Sequence, residues 1–378
     1  MAYDLLVKGG MLVDPSQGIH EICDVAISQG KVAEVGEGIP ESRAQNVLDA
    51  SGLIVTPGLV DFHTHVYWGV SHYGIDADDT CLARGATTVL DAGSSGAANF
   101  AAFRRYVIER KRTRIIPMLH ISAMGLLFRP IEELVYMDFA NVKAAVEVAK
   151  EHADIIYGIK VRLTDSIVGG RDVEALTRAL DAAEQVKKPV MIHIGNTPSP
   201  LPKLLAMLRP GDIVTHSFTG RPHNILDEGG NVLPEVFKAR ERGIIFDQGH
   251  GSGSHSFDVA RKALAQQFGP DTISSDLHTY SLPHPVHDLP TCLAKYMHLG
   301  IPLYDAVRLS TEAPARLLGM EGQIGTLKVG AEGDLAAFRV EDGIFTFTDS
   351  YENTLQGTRR LEPVIVVKGG EVVKAAKK

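Results

Sequence analysis

The middle of the chain alternates apolar runs with amphipathic stretches, whereas both ends carry short alternating runs broken by glycine and proline. An almost wholly apolar run is typical of a strand that is covered on both faces. Stretches with an apolar residue every three or four positions are typical of helices with one buried face. Eight apolar runs predict strands: Leu59–His65, Thr87–Gly93, Arg114–Ile121, Ile155–Leu163, Pro189–Gly195, Asp212–Phe218, Gly243–Gly249 and Thr272–His278.

Helical stretches separate these strands, and regular alternation of strand and helix predicts a parallel sheet. Eight such units predict an α/β fold with a closed (β/α)8 barrel, whose active site lies at the C-terminal ends of the strands. A doubly wound open sheet is the alternative, but no Gly-x-Gly-x-x-Gly follows the first strand. The clearest predicted helices are Asn141–His152, Asp172–Lys187, Leu233–Arg242 and Phe257–Phe268.

The two ends of the chain predict a second, smaller unit. Val7–Gly10 and Val367–Gly370 share the sequence Val-Lys-Gly-Gly, and apolar strand residues follow both. We expect residues 1–55 and 322–378 to form a small β-sandwich and residues 56–321 to form the barrel. Chance recurrence of a common hairpin pattern is the alternative explanation of the repeat.

Composition narrows the class of protein. Hydrophobic residues at 44% and charged residues at 22% are ordinary globular values. A net charge of −8 without a long basic run argues against nucleic acid as a partner. Cys23, Cys81 and Cys292 are too few and too far apart for a disulfide framework, which fits a reducing compartment. Without a signal-peptide pattern or an apolar run of about 18 residues, we expect a cytoplasmic protein and no membrane partner.

Ionisable residues recur at the ends of the predicted strands. One histidine alone is more often a hydrogen-bonded core residue, but several at one barrel mouth favour a metal site. Neutral imidazoles and a carboxylate suit zinc or a similar divalent ion, and they exceed the ligands of one tetrahedral ion, so two ions are expected. The residues are His63 and His65 on strand one, Lys160 and Arg162 on strand four, His193 on strand five, His216 on strand six and Asp276 on strand eight.

Lys160 differs from the other candidates because a protonated ammonium cannot bind a metal ion. A buried lysine can lose its proton. The neutral amine could then react with carbon dioxide to give N6-carboxylysine, an anionic bridge between two metal ions. An ion pair with a nearby carboxylate is the alternative.

The order of these residues resembles that of the amidohydrolase superfamily, and most closely its dihydroorotase-like deacetylases. The resemblance is carried by Pro57–His65, then by a lysine on strand four, histidines on strands five and six and an aspartate on strand eight. Residues Gly322–Leu335 also resemble the segment by which such enzymes re-enter their β-sandwich. The resemblance covers essentially the whole chain.

The resemblance implies a binuclear centre with a defined set of ligands. One ion is implied to bind His63, His65 and Asp276, and the other to bind His193 and His216. Carboxylated Lys160 is implied to bridge them, with Zn²⁺ as the expected metal. The implied reaction is hydrolysis of an amide or ester by a bridging hydroxide, with Asp276 passing the proton to the leaving group.

The substrate that we expect is a small acylated, carboxylate-bearing amino acid or hydroxy acid, from which the enzyme removes an acyl group such as acetyl. A cyclic-amide hydrolase of the hydantoinase or dihydroorotase type is one alternative, and a catalytically silent binding protein is another. Because this family often assembles through its barrel and sandwich surfaces, we also expect a homo-oligomer.

Four residues are candidate substrate contacts. Arg162 shares a strand face with Lys160 and could hold a carboxylate by a bidentate pair, although a salt bridge at the barrel rim is equally compatible. Tyr67 stands where dihydroorotases have an arginine, two residues after the second histidine, which argues against dihydroorotase activity. Ser94 lies in a Gly-Ser loop and His255 in the glycine-rich loop Gly249–Ser256, and either loop could instead be a plain connection.

Overall fold

The protein is described here by a computed structural model covering residues 2–373. The strands, in chain order, are β1 (Tyr3–Asp14), β2 (Ile19–Ser28), β3 (Lys31–Gly36), β4 (Ala44–Asp49), β5 (Ile54–Pro57), β6 (Leu59–Thr64), β7 (Ala86–Asp91), β8 (Arg114–Pro117), β9 (Leu119–His120), β10 (Ile159–Arg162), β11 (Val190–His193), β12 (Ile213–Thr215), β13 (Ile245–Phe246), β14 (Leu335–Thr348), β15 (Thr354–Lys368) and β16 (Glu371–Val373).

The helices surround the central strands. The α-helices are α1 (Ala77–Thr80), α2 (Phe100–Tyr106), α3 (Val142–Glu151), α4 (Asp165–Val168), α5 (Asp172–Val186), α6 (Leu201–Met207), α7 (Pro234–Glu241), α8 (Phe257–Ala265), α9 (Leu289–His298), α10 (Leu303–Arg308) and α11 (Glu312–Leu317). Short 3₁₀ helices cover Pro15–Gln17, Glu41–Arg43, Leu82–Arg84, Ile108–Arg110 and Met137–Phe139. None of the helices in residues 2–373 has the length and apolar character that a membrane span requires.

The four predicted helices are confirmed as α3, α5, α7 and α8, each within a few residues of the predicted bounds. In α5, the apolar stripe at Ala175, Leu176, Ala179 and Ala183 is buried, as the spacing requires. The helix ends at Val186, and the next residue, Lys187, has a φ of 54°, in the left-handed region that commonly terminates helices.

Both ends of the chain contribute to one sheet. Its strand order is β16-β15-β14-β5-β1-β2-β3, and β4 pairs with β1 as well. The regular pairing within residues 3–373 therefore gives one terminal sheet rather than the two sheets expected of a sandwich. Register shifts interrupt the pairing of the long strands β14 and β15, and such bulges bend a sheet locally. The domain boundaries at residues 56 and 321 stay a prediction.

The central strands form two parallel sheets, with orders β6-β7-β8 and β9-β10-β11-β12-β13. Seven of the eight predicted strands are confirmed, in shortened form, and the predicted strand Arg114–Ile121 is divided at Met118 between the two sheets. Within each sheet, every strand lies beside the strand before it in the chain, so the order never reverses as it does in a doubly wound sheet.

The eighth predicted strand, Thr272–His278, forms no regular ladder. It makes single parallel bridges, from Thr272 to Asp247 and from Leu277 to Thr64. The backbone of Asp276 has a φ of 47°, in the left-handed region, which is incompatible with an extended strand at that residue. The segment Thr272–His278 therefore lies between the end of β13 in one parallel sheet and the end of β6 in the other.

The core under the strand ends is apolar. Apolar side chains from successive parallel strands form a compact cluster below the polar residues at the C-terminal strand ends. The cluster consists of Phe62, Leu90, Ala92, Met118, Met191 and Ile213. A much larger cluster joins the outer faces of the strands to the helices. The polar site therefore stands on a rigid apolar base.

Candidate metal centre

Two histidines converge on one carboxylate at the C-terminal end of β6. The Nε2 atom of His63 lies 3.5 Å from Oδ1 of Asp276, and that of His65 lies 3.4 Å from the same oxygen. A third imidazole joins the group, since ligand atoms of His63, His216 and Asp276 all lie within 4.8 Å of one another. Predicted ligands from three separate strand ends thus meet at one place.

The remaining predicted ligands border the same cavity. The rings of His193 and His216 have centroids 4.1 Å apart, and both histidines line the cavity together with Lys160 and Asp276. His216 and Asp276 have φ values of 66° and 47°, which residues with a Cβ seldom adopt. Backbone strain of this kind is concentrated at functional sites.

Hydrogen bonds fix the protonation of His63. The hydroxyl of Thr215 donates its single proton to Oδ2 of Asp247, at 2.6 Å. Its oxygen can therefore only accept from Nδ1 of His63, 2.8 Å away. His63 is then protonated on Nδ1, and its Nε2 presents a lone pair to Asp276.

His65 and His216 are oriented in the same way. The Ser94 hydroxyl donates to Asp91 at 2.7 Å and so accepts from Nδ1 of His65 at 3.0 Å. Nδ1 of His216 lies 2.7 Å from the carbonyl oxygen of Gly249, which can only accept. In all three histidines Nε2 is the free ligand atom. Partners of this kind commonly orient metal-binding histidines.

The donor set fits a cation. Within residues 2–373, Nε2 of His63 and Oδ1 of Asp276 are buried without a hydrogen-bond partner. Lone pairs from His63 and His65 both face Asp276 Oδ1, and such an arrangement of acceptors is stabilised only by a positive charge between them. Burial lowers the pKa of His216 to about 4 and holds those of His63 and His65 well below the ordinary value. The imidazoles are therefore neutral and ready to bind metal at pH 7.

Lys160 is buried beside this group. Its Nζ lies 3.4 Å from the sulfur of Met191, and a Cβ at Gly93 would lie 2.6 Å from the Cβ of Lys160, so the close approach requires glycine. Burial lowers the pKa of Lys160 to about 7, against the opposing effect of the Asp276 and Asp247 charges. A substantial fraction of the amine is therefore neutral at physiological pH.

A cavity of about 270 Å³ opens above these residues. Arg162 lines it, as predicted, but the guanidinium already has carboxylate partners: Nη1 lies 3.3 Å from Glu133 and 3.7 Å from Glu132. Burial would raise the pKa of Glu133, but the charge of Arg162 lowers it to about 2. The salt bridge considered as the alternative role of Arg162 is present.

The other three predicted substrate contacts do not line the cavity. Ser94 is turned toward His65 and Asp91, as described above. Tyr67 is buried, stacks on Phe103 at a centroid distance of 4.4 Å and donates to the carbonyl oxygen of Asn99. His255 is fully buried among aromatic rings, whereas its neighbours Ser252, Gly253 and Ser254 face the cavity. Ser94 thus orients a candidate ligand, and Tyr67 and His255 pack in the core.

Sequence reasoning missed several residues of the site. Tyr73 lines the cavity, with its ring 5.4 Å from that of His65, and its hydroxyl accepts from Arg162 at 3.5 Å. His120 and Glu133 are buried together, 3.5 Å apart. His120 is the last residue but one of the predicted strand Arg114–Ile121, and that position could have revealed it. Tyr73 and Glu133 lie in irregular loops and gave no periodic signal.

Replacing Ser94 with alanine will weaken metal binding by about 10- to 100-fold, because the orientation and tautomer of His65 are then no longer fixed. Competition with a metal-sensitive chelating dye measures the affinity. Ser95→Ala is the matched control, since the neighbouring Ser95 hydroxyl is equally buried but has no hydrogen-bond partner within residues 2–373. An equal loss of metal affinity in Ser94→Ala and Ser95→Ala would contradict the proposed role of Ser94.

The stability of metal-free protein will rise between pH 7 and pH 8. Lys160 has a pKa of about 7 when folded, against an ordinary value of 10.5. Between these values the unfolded chain binds more protons, so the free energy of unfolding rises by up to about 1.4 kcal/mol per pH unit. Urea unfolding in carbon dioxide-free buffer measures this slope, and Lys160→Met should remove it between pH 7 and pH 8. Lys295, whose pKa burial lowers to about 8, contributes only from pH 8 and serves as the comparison.

Comparisons with known proteins place the chain in a family. A family model described as "Amidohydrolase family" matches residues 294–374. A protein named deacetylase from Agrobacterium fabrum is 33% identical over 349 residues, which are 92% of this chain and 86% of that protein. A crystal structure of an adenine deaminase is similar with a TM-score of 0.90 and 29% identity, covering 98% of this chain and 99% of that one. A crystal structure of a dihydroorotase has a TM-score of 0.89 and 32% identity, covering 98% of both chains.

Parallel strands whose ends bring neutral imidazoles and a carboxylate together define a class of metal-dependent hydrolases. The chain belongs to the amidohydrolase superfamily, as the resemblance at Pro57–His65 predicted. It is an enzyme that hydrolyses amide bonds, so the interpretation as a catalytically silent binding protein is set aside.

Proposed function

We propose that the protein is a binuclear metal-dependent deacylase that removes a small acyl group, such as acetyl, from a carboxylate-bearing amino acid or hydroxy acid. His63, His65 and Asp276 would hold one ion, and His193 and His216 the other. Lys160, as N6-carboxylysine, would bridge them. The observation that carries the proposal is the convergence of unprotonated His63 and His65 Nε2 atoms on Asp276 Oδ1, beside a buried Lys160.

Bound divalent ions, with Zn²⁺ as the expected metal, supply acidified water near neutral pH and polarise a substrate carbonyl. The chain provides the remaining functions. Asp276 accepts a proton from the attacking water and delivers it to the leaving nitrogen or oxygen. Thr215, Ser94 and Gly249 hold the three imidazoles in the ligating tautomer. Tyr73 and Leu126 form part of the cavity wall.

The strand arrangement supports a closed barrel. We infer that the two parallel sheets are two arcs of one (β/α)8 barrel, since β8 and β9 are separated only by Met118 and single bridges connect Thr272 and Leu277 to the flanking strands. A barrel would bring all the C-terminal strand ends to one mouth.

Two features favour a deacylase. The relative from Agrobacterium fabrum is named deacetylase and aligns over 92% of this chain. A cavity of about 270 Å³ suits a small substrate, and two arginines, Arg162 and Arg221, line it. Arginine is the residue best suited to bind a carboxylate.

Hydrolysis of a panel of N-acetyl and O-acetyl carboxylates by zinc-loaded enzyme tests the proposal. We expect release of acetate, with kcat/KM for the best substrate at least 100-fold above that for a cyclic amide such as a hydantoin. Both enantiomers of each compound belong in the panel. Turnover of cyclic amides alone would contradict the deacylase assignment.

A cyclic-amide hydrolase is the second candidate function. The solved dihydroorotase supports it through 32% identity and a TM-score of 0.89. Tyr67 argues against dihydroorotase activity itself, because it is buried against Phe103 and cannot replace a substrate-binding arginine at the cavity. The same panel separates the two candidates.

A further inference from the structure

We propose that Arg221, rather than Arg162, binds the carboxylate of the substrate and gives the enzyme its preference for anionic acyl compounds. This inference rests on the proposed deacylase function and names the residue that selects its substrate class. Arg221 was not among the residues predicted from the sequence. It follows β12, five residues after His216, and lines the cavity.

The two cavity arginines differ in charge balance. Arg162 is partly buried, and its Nη1 faces both Glu132 and Glu133, so two carboxylates already balance its positive charge. Arg221 forms no ion pair with any carboxylate within residues 2–373, and the residue is exposed at the mouth. Its five N–H donors are therefore available to a ligand.

Several residues that line the cavity with Arg221 are polar and uncharged. Asn196, Thr219, Ser252 and Ser254 share the cavity wall with it. Nη2 of Arg221 lies 3.6 Å from the position that a Cβ at Gly253 would occupy, so the glycine leaves the approach to the guanidinium open. A carboxylate there would find a bidentate partner and neighbouring hydroxyl groups, at a guanidinium that is not already paired with a carboxylate.

The loop that carries Arg221 is held in place from the terminal sheet. The Tyr351 hydroxyl, in the turn between β14 and β15, accepts from the backbone N–H of Gly220 at 2.9 Å and donates to the carbonyl oxygen of Gly253 at 3.1 Å. Thr219 accepts from the backbone N–H of Arg221 at 3.3 Å. These contacts join the loop after β12 to the loop after β13. Because the loops are already ordered, less conformational entropy is lost when substrate binds.

The position also suits the length of the proposed substrate. Arg221 lies against Gly195, which follows β11 and its His193, because a Cβ at Gly195 would lie 3.5 Å from the Cβ of Arg221. The arginine thus borders the part of the cavity next to His193 and His216. A substrate whose acyl carbonyl faces these histidines would direct a nearby carboxylate toward Arg221.

Paired substrates test the inference. Steady-state kinetics would compare an N-acetyl amino acid with its neutral amide for wild type, Arg221→Gln, Arg221→Lys and the exposed-surface control Arg105→Gln. We expect Arg221→Gln to raise KM for the acid by about 10- to 100-fold and to leave KM for the amide within twofold of the wild-type value. Arg221→Lys should retain part of the preference, since lysine supplies a charge but no fork of donors. The control should behave as wild type.

Calorimetric binding of the free amino acid product to zinc-loaded protein gives a readout that does not require turnover. Product binding that weakens at least tenfold in Arg221→Gln supports the inference even where no acylated substrate is hydrolysed, in which case only the deacylase function fails. Equal KM changes for acid and amide, or product binding that Arg221→Gln leaves unchanged, would overturn the role of Arg221 while leaving the deacylase function intact.

Discussion

Replacing Asp276 with asparagine will lower kcat/KM by about 10²- to 10⁴-fold, the range expected for loss of a general acid–base group. Asp276 is the carboxylate on which His63 and His65 converge, and it lines the cavity. Asparagine keeps an oxygen of similar position for a metal ion but cannot take up and release the proton. The loss should therefore appear in kcat more than in KM.

Metal content separates this effect from simple loss of the centre. Asp276→Asn protein, loaded with zinc and freed of excess metal, should retain at least one ion per chain while its activity is lost. Asp258→Asn, at an exposed aspartate in the first turn of α8, controls for the loss of a carboxylate elsewhere. Activity within tenfold of wild type in Asp276→Asn would remove the residue from the proton-transfer role.

Replacing Lys160 with alanine will reduce activity by at least about 10³-fold, because the site then loses its anionic bridge and binds its ions less tightly. The lysine is buried at the base of the cavity, 3.4 Å from Met191, so alanine leaves a space that a small molecule can enter. A short carboxylic acid such as propionate can occupy this space with its carboxylate at the position proposed for the carbamate. We expect partial recovery of activity at millimolar propionate.

Lys295→Met is the matched control for loss of a buried lysine. Lys295 is as buried as Lys160, but its Nζ contacts His250 and the carbonyl oxygens of Pro285 and Thr348, away from the candidate ligands. Lys295→Met should leave zinc binding unchanged, and propionate should not change the activity of this variant. Recovery by propionate in the control, or none in Lys160→Ala, would contradict a bridging role.

More of the candidate ligands than of the candidate substrate contacts lie at the cavity, and the reason is physical. His63, His193 and His216 end buried strands, where an imidazole has no packing function and the direction of the strand fixes its position. Alternation alone does not explain His63 and His65, because the pairing of β6 with β7 shifts register between Asp61 and Thr64. Their convergence depends also on Asp61, which accepts from the backbone N–H of Ser275 at 2.9 Å and so positions the segment that carries Asp276.

Sequence patterns did not predict the roles of residues in loops. The ion pair between Arg162 and Glu133 joins a strand end to an irregular loop 29 residues earlier in the chain, and no periodicity relates the two. Ser94 was placed near the site, yet its role follows only from the direction of its hydroxyl hydrogen bond to Asp91. Arg221 and Tyr351 are 130 residues apart in sequence, and only the fold brings their loops together.

The binuclear centre is tested most directly by the metal content per chain, measured by elemental mass spectrometry on protein purified without chelators. We expect about two divalent ions per wild-type chain and one or fewer in Lys160→Ala, with Lys295→Met matching wild type. One ion or none in both wild type and Lys160→Ala would contradict the bridged two-metal site and remove Lys160 from it.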